Sequence, residues 1–324
     1  AAKRFRQVLA SAPAKSPAAY KAHFGLAECL AQAKKFKEAE KLFSDALGTL
    51  MSQERRQQFA ERFITLGDEL SKPPEGQQPD YGKAERFYRA ALAMDLEDKR
   101  SDQLKLRIAD CREQAKQHPR AARELMAHID RLSNETPPRK PSQLTEMRFV
   151  IGRNLIKVRY FLRARRYLDD LLAEDPQASQ AAEAAFLLSR TYGMPTPGSG
   201  LDLVRGQAAL RAFLSRYPDH EKAAQARLEV AASPLHLSRH AQAEDGLRRL
   251  IKAGDLPEEQ LATARFRLGE ALAGQGRWRE AAQAYQDYLK RHPAHAYWTQ
   301  ARQGIENMAW QEAAAAESEE KWVP

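Results

Sequence analysis

The stretch most open to a catalytic reading is RLGEALAGQGRWREAAQAYQDYLKRHP, Arg267 to Pro293. Gly269 and Gly274 have the spacing of a phosphate-cradling loop. Such a loop needs G-x4-G-K-[ST] between a strand and a helix, because backbone amides and a lysine must surround the phosphates. Here Gln275 and Gly276 replace the lysine and the hydroxyl, and the preceding RFRLGEALA has a helical period. Gly276 instead suits an inter-helix turn, where positive φ costs glycine nothing. His236, His240 and Glu244 recur every four residues. On one continuous helix they would share a face and could ligate a metal. Pro234 and the LSRH segment interrupt that helix, so no metal site is expected. Cys29 and Cys111 follow an acid in LAEC and IADC. Two cysteines are too few for a disulfide framework or a zinc site, and both are expected to pack as small apolar residues. Neither G-x-S-x-G nor H-E-x-x-H occurs. The sequence therefore asks for no catalytic residue and no cofactor.

One run has an electrostatic signature. Met147 to Arg166 carries Arg148, Arg153, Lys157, Arg159, Arg163, Arg165 and Arg166 and no acid. Solvated helix faces usually mix signs. The run is read either as an ordinary exposed face or as an anion-binding patch centred on Arg159, Arg163, Arg165 and Arg166. Phe149, Tyr160, Phe161 and Tyr167 fall mostly at packing positions, which gives no support for base stacking.

These residues need elements to hold them, and the composition says which kind. The chain has 324 residues, of which 43% are hydrophobic, with a net charge of +9. Alanine is abundant and β-branched residues are scarce, which favours helix over strand. No run approaches eighteen uninterrupted apolar residues, so no spanning helix is expected. The chain starts AAKRFRQVLA, without an initiator Met or the apolar core of a secretion signal. The expectation is a segment of a longer protein.

Four stretches can be stacked on one another, starting at Gly25, Ile108, Val150 and Arg267. Each opens with an apolar residue and a small one: Leu26-Ala27, Ile108-Ala109, Ile151-Gly152 and Leu268-Gly269. A second small residue follows at Ala39, Ala121, Ala164 and Ala281. A large apolar residue lies four further on, at Phe43, Leu125, Leu168 and Tyr285. Looser copies run from Leu66-Gly67 to Ala84 and Tyr88, from Leu188-Ser189 to Gly206 and Leu210, and from Leu228 to Ala243 and Leu247. In the last of these, SPLHLSRH would hold about two extra residues. The second markers are spaced by 37 to 45 residues. A helix pair cannot bury its apolar stripe alone, so such units must stack.

The pattern resembles the tetratricopeptide repeat family, whose unit carries W-x2-L-G-x2-Y…A-x3-F…P. Leu268, Gly269, Leu272, Ala281, Tyr285 and Pro293 match it, while Arg265 stands where the family has Trp. The resemblance implies an all-α, right-handed solenoid of about seven helix-turn-helix pairs. Residues 1–18 would be a leading half-repeat (second helix only), 19–294 the repeat array, and 295–324 a closing helix and tail, in one continuous domain. Weaker similarity to envelope-assembly and Tol-associated repeats lies in DPQASQAAEAAF, YPDHEKAAQARL and HPAHAYWTQARQ. It points to a bacterial source, in the cytoplasm or cell envelope.

Partners of this family lie along the first helix of each unit. The resemblance therefore implies a partner surface of Lys21, Phe24, Glu28, Ile64, Asp68, Leu106, Asp110, Phe149, Arg153, Lys157, Phe186, Arg190, Phe266 and Glu270. An apolar residue is followed four positions later by a charge. The Lys and Asn pattern of the family's carboxylate clamp is missing from these positions. The expected function is non-catalytic binding of a protein or peptide. The alternatives are an anion-binding adaptor for nucleic acid or a membrane surface through residues 148–166, and a recruiting segment of a larger enzyme.

Overall fold

The computed structural model describes residues 1–13, 16–33, 35, 38–39, 41–42, 53–94, 96–134 and 141–320. They fall into two compact units, Ala1–His128 and Ile129–Pro324. Among the described residues every regular element is helical. The helices are α1 (Ala2–Ser11), α2 (Pro17–Gln32), α3 (Gln53–Ser71), α4 (Tyr81–Leu92), α5 (Asp98–Gln114) and α6 (His118–Ser133). They continue as α7 (Pro141–Lys157), α8 (Phe161–Glu174), α9 (Ala181–Arg190), α10 (Gly200–Arg216) and α11 (Ala223–Ala232). The last are α12 (His240–Ala253), α13 (Glu258–Ala273), α14 (Trp278–Arg291) and α15 (Trp298–Glu320). No described helix is long and apolar enough to cross a membrane.

Local chemistry sets several starts. Ser16 accepts from the Ala19 amide at 3.2 Å with Pro17 behind it, and Asp80 accepts from the Lys83 amide at 2.9 Å. Ser199 caps α10 through the Asp202 amide at 3.1 Å. Each cap satisfies an amide that the first turn leaves without a partner.

Within each unit, a helix packs on the next in sequence. In the first unit α1 packs on α2, α3 on α4, and α4 on α5. In the second, α7 to α15 pack in an unbroken succession, with additional contacts between α7 and α9 and between α11 and α13. Nearest-neighbour stacking of this kind defines a helical repeat protein. Six complete pairs are described, α3/α4 to α13/α14. Phe36 and Phe43, which the repeat pattern assigns to the second helix after α2, lie outside the described residues.

The repeat markers form the core. Ala84, Ala121, Ala164, Ala243 and Ala281 are all 0% exposed, and Leu125, Leu168, Leu210 and Leu247 are fully enclosed. The first-helix glycines are notches. A Cβ on Gly67 would meet the Tyr88 ring at 2.5 Å, one on Gly152 would meet Leu168 at 2.7 Å, and one on Gly269 would meet Tyr285 at 2.5 Å. Small residues let the helices approach until the large side chain fills the gap between them.

The turn between paired helices corrects one alignment. Lys116, Arg159, Ser238 and Gly276 all have positive φ, between 55° and 73°. Each amide after them reaches back to a helical carbonyl: Gln117 to Arg112 at 2.7 Å, Tyr160 to Leu155 at 2.9 Å, Arg239 to Pro234 at 3.0 Å, and Arg277 to Leu272 at 3.2 Å. This is the six-to-one bond of a left-handed helix cap. Each turn residue follows its small marker by the same interval, and for Ser238 that marker is Ala231. The copy placed at Leu228 therefore starts at Val230-Ala231. It has no insertion, because SPLHL is taken up in a short 3-10 helix, Ser233–Leu237.

Four of the residues weighed for chemistry have turn, pairing or packing roles. Gly276 makes the turn at φ 73°. His240 opens α12 with its ring against Gly274, and Glu244 bonds Arg248, Gln275 and Arg277. Cys111 is buried, and burial with Asp110 beside it pushes its thiol up to about 12.

Candidate functional site

In the first unit, α2, α3 and α5 present the residues expected to face a partner. Phe24 is buried and stacks on Phe59 of α3, with centroids 3.7 Å apart. Ile64 and Leu106 are half-buried, and Lys21 and Asp110 are exposed. Two of the acids here are paired. Glu28 pairs with Arg62. Asp68 takes Arg107 Nη1 on both oxygens at 2.6 and 2.7 Å, and the Tyr88 hydroxyl at 2.7 Å. Burial, with the Asp68 carboxylate alongside, pushes that phenol up to about 12.

The second unit repeats the arrangement. Phe186 is buried and carries the Arg190 guanidinium 4.4 Å above its ring. Arg190 grips Glu229 of α11 with two bonds, 2.6 and 2.8 Å, and Glu229 is itself buried. Phe149 is half-buried with Arg153 5.5 Å from its centroid, and Lys157 is exposed. Phe266 is buried and stacked on Tyr297 at 4.6 Å, while Glu270 bonds Arg267 of its own helix at 2.7 Å. Below Phe266, Arg265 donates to His292 Nε2 at 2.8 Å, and His292 Nδ1 lies 2.8 Å from Glu258. Burial holds the His292 imidazole below its ordinary pKa; Glu258 acts against this and Arg265 with it.

Several of the residues picked out by the sequence thus hold one repeat to the next. Glu28–Arg62, Glu61–Arg100, Asp68–Arg107, Glu183–Lys222 and Arg190–Glu229 each join the first helices of successive units, 34 to 39 residues apart. Sequence reasoning named Glu28, Asp68 and Arg190 and missed Arg62, Arg107 and Glu229. The available signal was an opposite charge one period away.

The basic run is divided as well. Arg148 is buried and bonds Glu174 at 2.5 and 3.1 Å. Arg165 lies 3.9 Å from the Tyr192 centroid and donates to the Thr191 carbonyl at 3.0 Å. Arg159, Arg163 and Arg166 are exposed.

The first unit also contains a recess of about 650 Å³. Phe24, Phe59, Phe63, Leu66, Leu70 and Phe87 supply its apolar lining, and Glu28, Arg62, Glu69 and Lys83 the charges at its edge. Of the residues expected at a partner surface, Phe24 and Glu28 border it. Its dimensions suit a few side chains of a ligand with polar groups at the margin. Among the described residues no three His, Cys, Asp or Glu side chains converge to hold a metal ion.

Paired helices, notched packing and six-to-one turns define a helical repeat protein. Tetratricopeptide-repeat family models match residues 1–54 and residues 263–295. Those two segments match the tetratricopeptide repeat, and the second falls on the stretch with the phosphate-loop spacing. Both models describe the repeat in general and say nothing of envelope assembly. Among solved structures, the apo form of RapI is 11% identical and covers 79% of this chain and 99% of its own, with a TM-score of 0.48. A tetratricopeptide repeat protein from Parabacteroides merdae is 12% identical, with 90% and 98% covered and a TM-score of 0.43. YrrB, described as a repeat protein with an unusual peptide-binding site, is 18% identical, with 70% and 99% covered and a TM-score of 0.40. No curated protein matches the sequence at a significant level.

Proposed function

We propose that the chain is a non-catalytic scaffold that binds a peptide segment of a protein partner, and that the recess of the first unit is where the segment seats its apolar side chains. The supporting observation is the recess itself: about 650 Å³ with a phenylalanine and leucine lining and charges of both signs at the edge. Apolar anchors surrounded by charge are how such surfaces take amphipathic peptides. Several of the charges expected at the partner surface have intramolecular partners, and in the first unit the exposed Lys21 and Asp110 could extend the contact.

Peptides selected on the whole chain from a random display library test this. Leu70→Glu should weaken the selected peptides about tenfold or more, since a buried anchor contributes more than 1 kcal/mol. A second pair of changes leaves the lining intact: Arg62→Glu with Glu69→Lys should shift which peptide charges are selected. Peptides that bind both variants as well as the parent chain, or that protect only the second unit from hydrogen exchange, would show that the recess is not the site.

A further inference from the structure

Among the described residues, large apolar side chains stand exposed at five places, and four belong to one stretch of the second unit. Leu162 is 79% exposed, Leu201 and Val204 57% each, and Tyr160 56%. They sit at the starts of α8 and α10, the second helices of successive pairs. Two contacts flank these helix starts. Arg165 of α8 bonds Thr191 at the head of the loop that leads into α10. The Arg239 guanidinium covers Gly200, where a Cβ would lie 2.5 Å from Nη2.

The cations here differ from those of the first helices. Arg62, Arg107, Arg148 and Arg190 all have carboxylate partners. Arg163, Arg166 and Arg205 are exposed and make no ion pair with a described residue. Arg159, also exposed, lies over the Phe161 ring at 5.8 Å. Asp202, the acid in the first turns of α10, is held by Ser199 at 2.6 Å. Asp169 and Asp170 come two turns into α8.

We infer that this edge of the second unit is a docking surface for an anionic lipid bilayer. The charge favours an anionic occupant. The form of the apolar groups favours a bilayer over an acidic peptide, because Leu162, Leu201 and Val204 project into solvent instead of lining a recess. Projecting aliphatic groups and a tyrosine enter the headgroup boundary while arginines beside them reach the phosphates. Each arginine near an anionic leaflet strengthens binding roughly fivefold. The inference is independent of the recess in the first unit and uses none of its residues.

Flotation of the whole chain with phosphatidylcholine vesicles, with and without phosphatidylglycerol, tests it. Binding should require phosphatidylglycerol and weaken as salt rises. Arg163→Gln/Arg166→Gln/Arg205→Gln should lower partitioning roughly a hundredfold. Leu162→Ser/Val204→Ser should lower it about tenfold at unchanged charge. All five positions are exposed, so an unchanged melting temperature certifies that the variants fold. Equal binding to both vesicle types, or variants that float like the parent, would overturn the inference. So would failure to float combined with capture, lost in the arginine variant, of a soluble Glu/Leu amphipathic peptide.

Discussion

Replacing Gly269 by alanine probes the contact on which the repeat register rests. An alanine Cβ there would lie 2.5, 2.7 and 2.9 Å from Cε1, Cδ1 and Cζ of Tyr285. Carbon atoms settle at about 3.5–4.0 Å, so the ring would have to retreat by about 1 Å. Its far edge is blocked. A Cβ on Gly304 of α15 would come within 2.7 Å of Cε2, so the backbone on that side is just as close. Tyr285 is only 5% exposed and has no outward escape. Overpacking without room to relax costs about 1–3 kcal/mol. The better helix propensity of alanine returns up to about 1 kcal/mol. The net expectation is a loss of about 1–2 kcal/mol. For a unit of this size it appears as a fall of roughly 2–8 °C in the melting temperature. Gly304→Ala should fall similarly. Tyr285→Leu costs stability by itself but should make either glycine change harmless, a coupling that a double-mutant cycle measures directly. Circular dichroism melts suffice, with Gly82→Ala as the control, because a Cβ there meets only Asp80 Oδ1 at 3.7 Å. If Gly269→Ala melts higher than the parent, or if Tyr285→Leu leaves its penalty intact, the notch does not hold the ring as described.

Two further outcomes follow from the charges. Arg190→Ala strips the buried Glu229 carboxylate of two bonds and should destabilise the second unit by about 3 kcal/mol, whereas Arg107→Ala, at an exposed pair, should cost no more than about 1 kcal/mol. Urea titrations that gave equal losses would contradict the difference in burial. His292 is held below the ordinary imidazole value of 6.5, so the unfolded chain takes up its proton first as pH falls. Its contribution is therefore complete above that value and is lost on acidification through the folded value. The melting temperature should drop as the pH falls below about 6.5, and less so in His292→Gln, whose carbonyl can still accept from Arg265. A parallel drop in both proteins would remove His292 from the account.

Much of the fold was legible because each repeat solves the same burial problem. Ala164, Ala281, Leu168 and Tyr285 recur at one spacing, and a spacing survives in the linear chain. The register of the Val230-Ala231 unit was harder to read. Leu228 offers an equally apolar start, and only the positive φ of Ser238, a residue that does not advertise a left-handed turn, settles the alignment. Arg159 and Lys116 hide their turns in the same way. The candidate site was less legible. Phe59 and Phe87 enter the recess only when separate helices meet, and neither belongs to the first-helix pattern. Three of the eight charges chosen for a partner, Glu28, Asp68 and Arg190, have one in the next repeat of the chain, because a charge on a stacked helix faces the neighbouring repeat as readily as it faces solvent.

That last point bears on how such a surface acquires specificity. A first-helix charge that also joins two repeats cannot be changed without loosening the stack, and the cost rises with burial, from Asp68–Arg107 to Arg190–Glu229. Positions free of this double duty can vary independently of stability. In the first unit they are the exposed Lys21, Asp110 and Glu69; in the second they are Lys157 and the unpaired arginines of α8 and α10. Discrimination between partners is therefore expected to reside in these residues, with the paired charges setting the spacing at which they are presented. Exchanging the sign of Lys21 or Asp110 should alter which peptides bind while leaving the melting temperature in place.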